Sequence, residues 1–163
     1  MDQERQTTKH TMKYQKLRPD IATGDLFFTA TNGLFGKVTR LVTQSKVSHV
    51  GIFVWIEGRL FVAEATFYGF QLTLASKHTD YYVGKSSRTT FTEEQIKEGI
   101  FSLLGTRYDF LGMLMSPFYN TRSKQQFCSE SVAKILGIEF PALNRGIFPS
   151  DIANTCSYLI GVK

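Results

Sequence analysis

Three residues have side chains and settings suited to nucleophilic chemistry. Cys128 lies in Gln126-Phe127-Cys128-Ser129-Glu130, after a polar stretch and at the start of an amphipathic segment. A helix N-terminus carries unpaired N–H groups and about half a positive charge. Both favour the thiolate, the nucleophilic form of cysteine. The competing reading is a small buried residue of a core helix. His49 stands in an otherwise apolar run, where an imidazole is either a proton carrier or a core residue with one hydrogen bond. Glu64 lies in Phe61-Val62-Ala63-Glu64-Ala65. A carboxylate there is costly unless it is paired or the strand face is half exposed. Beside an imidazole, a carboxylate fixes the ring tautomer and steadies the imidazolium. Brought together, the three make a nucleophile, a base and an orienting acid.

The elements that must position them follow from the hydrophobic pattern. Residues 47–56 (VSHVGIFVWI) and 59–66 (RLFVAEAT) are β-branched and aromatic runs either side of Glu57-Gly58, a hairpin signal. With a two-residue turn, paired residue numbers sum to 115, so Gly51 faces Glu64. Paired residues share a sheet face, which makes His49 and Glu64 diagonal neighbours on one face. Cys128 is then expected to open a helix over 128–136 that packs against that face. Strands are also expected at 25–30, 70–74, 81–83 and 158–162, and helices from 33, over 92–104 with Thr92 and Gln95 as a capping box, and over 108–115. Residues 118–126 read as a polar loop. A short helical start at 149–155 has Ser150 as its expected cap. The class is α+β, with an antiparallel sheet and segregated helices.

The motifs resemble a known family. Gly105-Thr106-Arg107-Tyr108-Asp109, followed by Phe127-Cys128-Ser129-Glu130, resembles the nucleophile half of NlpC-type papain-like peptidases, where a Gly-x-x-Tyr stretch precedes a Cys-Ser pair. Here the histidine strand comes before the cysteine. That order is similar to the circularly permuted, YiiX-like branch, related also to lecithin–retinol acyltransferase. Gly24-Asp25, Ser48-His49-Val50-Gly51, Ala63-Glu64-Ala65 and Pro149-Ser150-Asp151-Ile152 fit the same pattern in order. The resemblance spans about residues 18–156. It implies a permuted papain-like fold with a barrel-like sheet. It also implies Cys128 as nucleophile, His49 as base, Glu64 as orienting acid, and Tyr108 lining the oxyanion site. Tyr108 has a plainer reading as an aromatic core residue. Acyltransferase relatives tend to carry asparagine before the cysteine, whereas Phe127 stands here, which favours hydrolysis.

Composition bounds the rest. The chain has 163 residues, 42% hydrophobic and 20% charged, one domain's worth of ordinary globular protein. Residues 1–18 read as a polar lead-in, mobile at its start, and 19–163 as a single hydrolase domain. The net charge of +5 is scattered, without zinc-finger or RNP-type stretches, so nucleic acid is not an expected partner. No secretory signal or membrane span is visible, and two cysteines make no disulfide framework, so a cytoplasmic, reducing setting is expected. Three scattered histidines lack zinc spacing, and Gly33-x-x-Gly36-Lys37 is too short for a phosphate loop, so no metal or cofactor is expected. His10 and His78 read as solvated, and Cys156 as core. The expected activity is cysteine-dependent cleavage of an amide or ester in a peptide, cell-wall or lipid-linked substrate. Acyl transfer on the same fold and a catalytically idle binding module are the alternatives.

Overall fold

The computed structural model describes residues 11–30, 47–66, 68–87, 89–107, 128–139 and 147–162. Seven strands form one open sheet: β1 (Thr11–Met12), β2 (Leu26–Thr29), β3 (His49–Ile56), β4 (Arg59–Thr66), β5 (Gly69–Leu74), β6 (Tyr81–Ser86) and β7 (Cys156–Val162). Their order is β1-β7-β6-β2-β3-β4-β5. Every pairing is antiparallel except β1 with β7, which is parallel. The sheet does not close, so the barrel-like expectation gives way to an open sheet with β1 and β5 as its edges. Among the described residues four helices accompany it: α1 (Tyr14–Leu17), α2 (Glu93–Leu103), α3 (Cys128–Leu136) and α4 (Pro149–Ala153).

The β3–β4 hairpin adopts the register expected from its turn. Gly51 faces Glu64 and Ile56 faces Arg59. Glu57 and Gly58 both have positive φ (47° and 73°), the twist that suits a two-residue hairpin loop. α2 begins with the expected capping box: Gln95 N–H donates to Thr92 Oγ1 at 3.3 Å, and Thr92 N–H to Gln95 Oε1 at 2.9 Å. At α4 the expected cap is not the one found. Asp151, rather than Ser150, closes the turn by accepting from the Phe148 N–H at 2.8 Å. The last strand starts two residues earlier than its apolar run, at Cys156.

Alternation along the strands sorts the core into two layers. Leu26, Phe28, Val50, Ile52, Val54, Ala63 and Ala65 line one face and pack with Ile96, Ile100, Val132, Ala133, Ile135 and Leu136 from α2 and α3. Phe27, Phe53, Leu60, Val62, Tyr81 and Val83 line the other, covered in part by Leu17 and Ile21. The polar lead-in thus contributes to the fold: Leu17 is buried and β1 extends the sheet. The helical segments expected from residue 33 and over 108–115, and the loop over 118–126, lie outside the described residues. Among the described residues, no helix is long and apolar enough to cross a membrane.

Candidate active site

His49 and Glu64 meet as the hairpin register requires. His49 Nε2 and Glu64 Oε2 are 2.8 Å apart, short enough for a charge-assisted hydrogen bond. Gly51 is what makes room between the strands at this level. A Cβ there would lie 2.8 Å from Val62 Cγ1, 2.9 Å from the Ala63 carbonyl oxygen and 3.2 Å from Glu64 Cβ. Glu64 is 6% exposed, so it is the costly kind of carboxylate that needs a partner.

Cys128 is the first residue of α3 and hydrogen-bonds with the His49 side chain. With Nε2 taken by Glu64, Nδ1 is the ring nitrogen left for the thiol. The route to this contact differs from the sequence expectation. The body of α3 packs on the sheet face of Val50, Ile52 and Val54, opposite the face that carries His49 and Glu64. The two sides still meet because His49 opens β3, opposite Thr29 at the end of β2, so its ring stands at the end of the sheet. Cys128 stands at the matching end of its helix. The thiol is also less open than a helix terminus suggests, at 2% exposed. Ser129 fixes this end of α3: it is 1% exposed and its hydroxyl donates to the Ile147 carbonyl, just before α4.

The electrostatics follow from this packing. Burial by itself lowers the pKa of His49, but hydrogen bonds and charge attraction from Cys128 and Glu64 outweigh it and raise the pKa to about 10. Burial alone would push Glu64 up. The hydrogen bonds and positive charge of His49 and His78 reverse that and hold it at about 2. Each partner thus favours the charged form of the other.

His78 is a correction to the sequence reading. It does not stand in solvent. Its side chain is 20% exposed, its Nε2 lies 3.2 Å from Glu64 Oε1, and its ring rests on Phe27 at 4.7 Å between centroids. No periodic signal marks it, because it follows a 3-10 turn (Ala75–Lys77) rather than lying on a strand. The Glu64↔Gln71 pairing leads toward it, but the return of the chain after β5 is a tertiary event. Cys156 behaves as expected of a packing residue: it is half-buried against the larger core layer. Tyr108 and His10 lie outside the described residues.

A cysteine at a helix start, bonded to a strand histidine whose far nitrogen is held by a carboxylate, is the arrangement of thiol-dependent hydrolases. Histidine strand first and cysteine helix second make it the permuted order. Residues 20–153 match the family of permuted papain-like amidase enzymes, YaeF/YiiX, C92, and the chain belongs to that family. Among solved structures, the metalloprotein YiiX from Escherichia coli O157:H7 shares the fold. Its TM-score is 0.66 at 20% identity, with 88% of this chain and 97% of that one covered. No curated protein sequence matches. A metalloprotein with this fold raises the question of a metal here. In this chain the two imidazoles approach different oxygens of one carboxylate, not a shared point. Among the described residues, no group of three His, Cys, Asp or Glu side chains could hold a metal ion. These residues do not fit a metal centre, and no step below uses one.

Proposed function

We propose that this amidase-family enzyme cleaves an amide or ester bond through a thioacyl-enzyme formed on Cys128. His49 is the proton carrier and Glu64 the group that holds it, within one hydrolase domain over residues 19–163. The observation that carries the reading is His49 bonded to Cys128 and Glu64 together, with its pKa raised to about 10. At neutral pH that histidine is an imidazolium, and an imidazolium beside a thiol favours the thiolate.

The chemistry then runs in a fixed order. The Cys128 thiolate attacks the carbonyl carbon, forming a C–S bond and an oxyanion. The α3 N-terminus and the Cys128 N–H are suited to steady that oxyanion, with Tyr108 assigned there by its motif. As the C–N or C–O bond breaks, His49 gives its proton to the leaving group, so its first act is as an acid. Neutral His49 then takes a proton from water, the hydroxide attacks the thioester, and the acid product leaves. The proton taken from water leaves His49 as the imidazolium again, and the expelled thiolate restores the resting pair. A peptide, cell-wall or lipid-linked substrate suits this chemistry, in a reducing setting that keeps the thiol free.

The test is competitive alkylation by iodoacetamide at pH 6, read by peptide mass spectrometry. Cys128 should react first although Cys156 is the more exposed thiol, because ionisation outweighs access. Equal labelling, or faster labelling of Cys156, would overturn the nucleophile assignment. Incubation with acyl-bearing amides should give a transient adduct on Cys128. If water discharges it the enzyme is a hydrolase, and if only an added amine does, it is an acyltransferase.

A further inference from the structure

We propose that His78 is a positioning residue of this site, holding one oxygen of Glu64 so that the other stays on His49. The proposal rests on the hydrolase reading of Cys128 and His49 and adds a fourth residue to it. A carboxylate on a strand has two oxygens and free rotation about its last bond. A single hydrogen bond to His49 leaves that rotation loose. In this structure each oxygen faces its own imidazole: Oε2 lies 2.8 Å from His49 and Oε1 3.2 Å from His78.

The placement of His78 is built from several sides. Its N–H donates to the Ala75 carbonyl at 3.2 Å, and Ala75 is fully buried. Its ring packs on Phe27, which also packs edge-on against His49, with centroids 6.5 Å apart. Asp80, two residues on, has a positive φ of 52° and its carbonyl accepts from Thr29 Oγ1 at 3.4 Å, which ties the segment to the end of β2. The Nε2 atom of His78 is buried beside the Glu64 carboxylate. At 3.2 Å its contact with Glu64 Oε1 is longer, and so weaker, than the 2.8 Å bond of His49 to Oε2. Among the described residues, the ionisable groups around it are Glu64 from β4, His49 from β3 and Tyr81 from β6, the last sharing Phe27 as a neighbour. Lys77 and Asp80 on its own segment are exposed.

The consequence is a carboxylate kept ionised and aimed. Without His78, Glu64 loses one of the two groups that hold its pKa near 2, and the carboxylate is free to turn away from His49.

The experiment is a carboxyl-carbon NMR titration of the full chain, with Glu64 assigned by its disappearance in Glu64→Gln, paired with iodoacetamide labelling of Cys128. In His78→Ala the Glu64 carboxyl should titrate at least about one pH unit higher than in the wild type. Cys128 labelling at pH 6 should slow several-fold. His78→Gln keeps an N–H donor of similar reach and should recover most of the labelling rate. An unmoved Glu64 titration in His78→Ala overturns the proposal. So does a moved titration with unchanged labelling, which would make His78 a mere electrostatic neighbour. Should His78→Ala fail to fold, the wild type and Glu64→Gln decide it, because the His78 ring nitrogens must shift when the Glu64 charge is removed. If they stay put, the proposal fails. Wild-type Cys128 labelling no faster than Cys156 would instead sink the nucleophile reading, while the Glu64 titration would still judge His78.

Discussion

Replacing Glu64 with glutamine tests the electrostatic argument most directly. Glutamine keeps the shape and an oxygen that can accept from the ring, but removes the charge. In the wild type the His49 pKa rises from 6.5 to about 10. At roughly 1.4 kcal/mol per tenfold change, that is net stabilisation of the imidazolium by about 5 kcal/mol. Two partners supply it, against the opposing effect of burial, and Glu64 makes the 2.8 Å bond. A hydrogen bond to a charged group contributes about 1.5–3 kcal/mol, which is roughly one to two pH units. The His49 pKa should therefore fall to about 8 or 9 in Glu64→Gln. Proton donation to the leaving group requires the imidazolium, so kcat/KM on an amide substrate should decline from about pH 8 or 9 instead of about 10. At its optimum the variant should lose about ten- to a hundredfold, less than the roughly hundred- to ten-thousandfold expected of His49→Ala. The assay is a kcat/KM profile between pH 5 and 11, about the span these groups titrate over. An alkaline limb that stays put in Glu64→Gln refutes the reasoning, for it would mean that Glu64 does not support the imidazolium.

Other outcomes follow from the same packing. Cys128→Ala should abolish turnover with the native circular-dichroism spectrum retained. Cys156→Ala should keep its activity and lose about 1 kcal/mol in urea unfolding, since it deletes a half-buried sulfur. Stability should depend on pH at both ends. The Glu64 pKa is lowered on folding, so its contribution is present above about 4.5 and is lost as pH falls toward about 2. The His49 pKa is raised, so its contribution is complete below 6.5 and is lost as pH rises through about 10. Urea midpoints measured across that range should flatten at both ends in Glu64→Gln. Gly51→Ala should destabilise by about 1–3 kcal/mol and slow turnover, because the new Cβ meets the Ala63 carbonyl, which cannot give way as a side chain can. Wild-type stability and rate in Gly51→Ala would show that the strands part more easily than this packing implies.

Local patterns carried much of the fold. A two-residue turn and strict alternation set the β3–β4 register, and with it the diagonal between His49 and Glu64, without help from any tertiary contact. The capping box at Thr92 and the helix that begins at Cys128 were equally legible. The turn, the capping box and the helix start are decided by short-range sterics and hydrogen bonding, and alternation carries the turn's register out to His49 and Glu64, 15 positions apart. The membership of the site was only partly legible. Cys128 stands 79 positions from His49, and nothing local says that α3 crosses the opposite face of the sheet and meets the histidine at the end of a strand. His78 was hidden for the same reason. A loop histidine bears no periodicity, and its burial depends on a turn after β5, on Phe27 from β2 and on a carboxylate from β4. The short strand β1 was unreadable too, since two residues carry no pattern and their pairing with β7 exists only once the chain has closed on itself. Sequence resolves what neighbouring residues impose on one another. Which faces meet, and which buried charges share a partner, is decided by packing across the whole sheet.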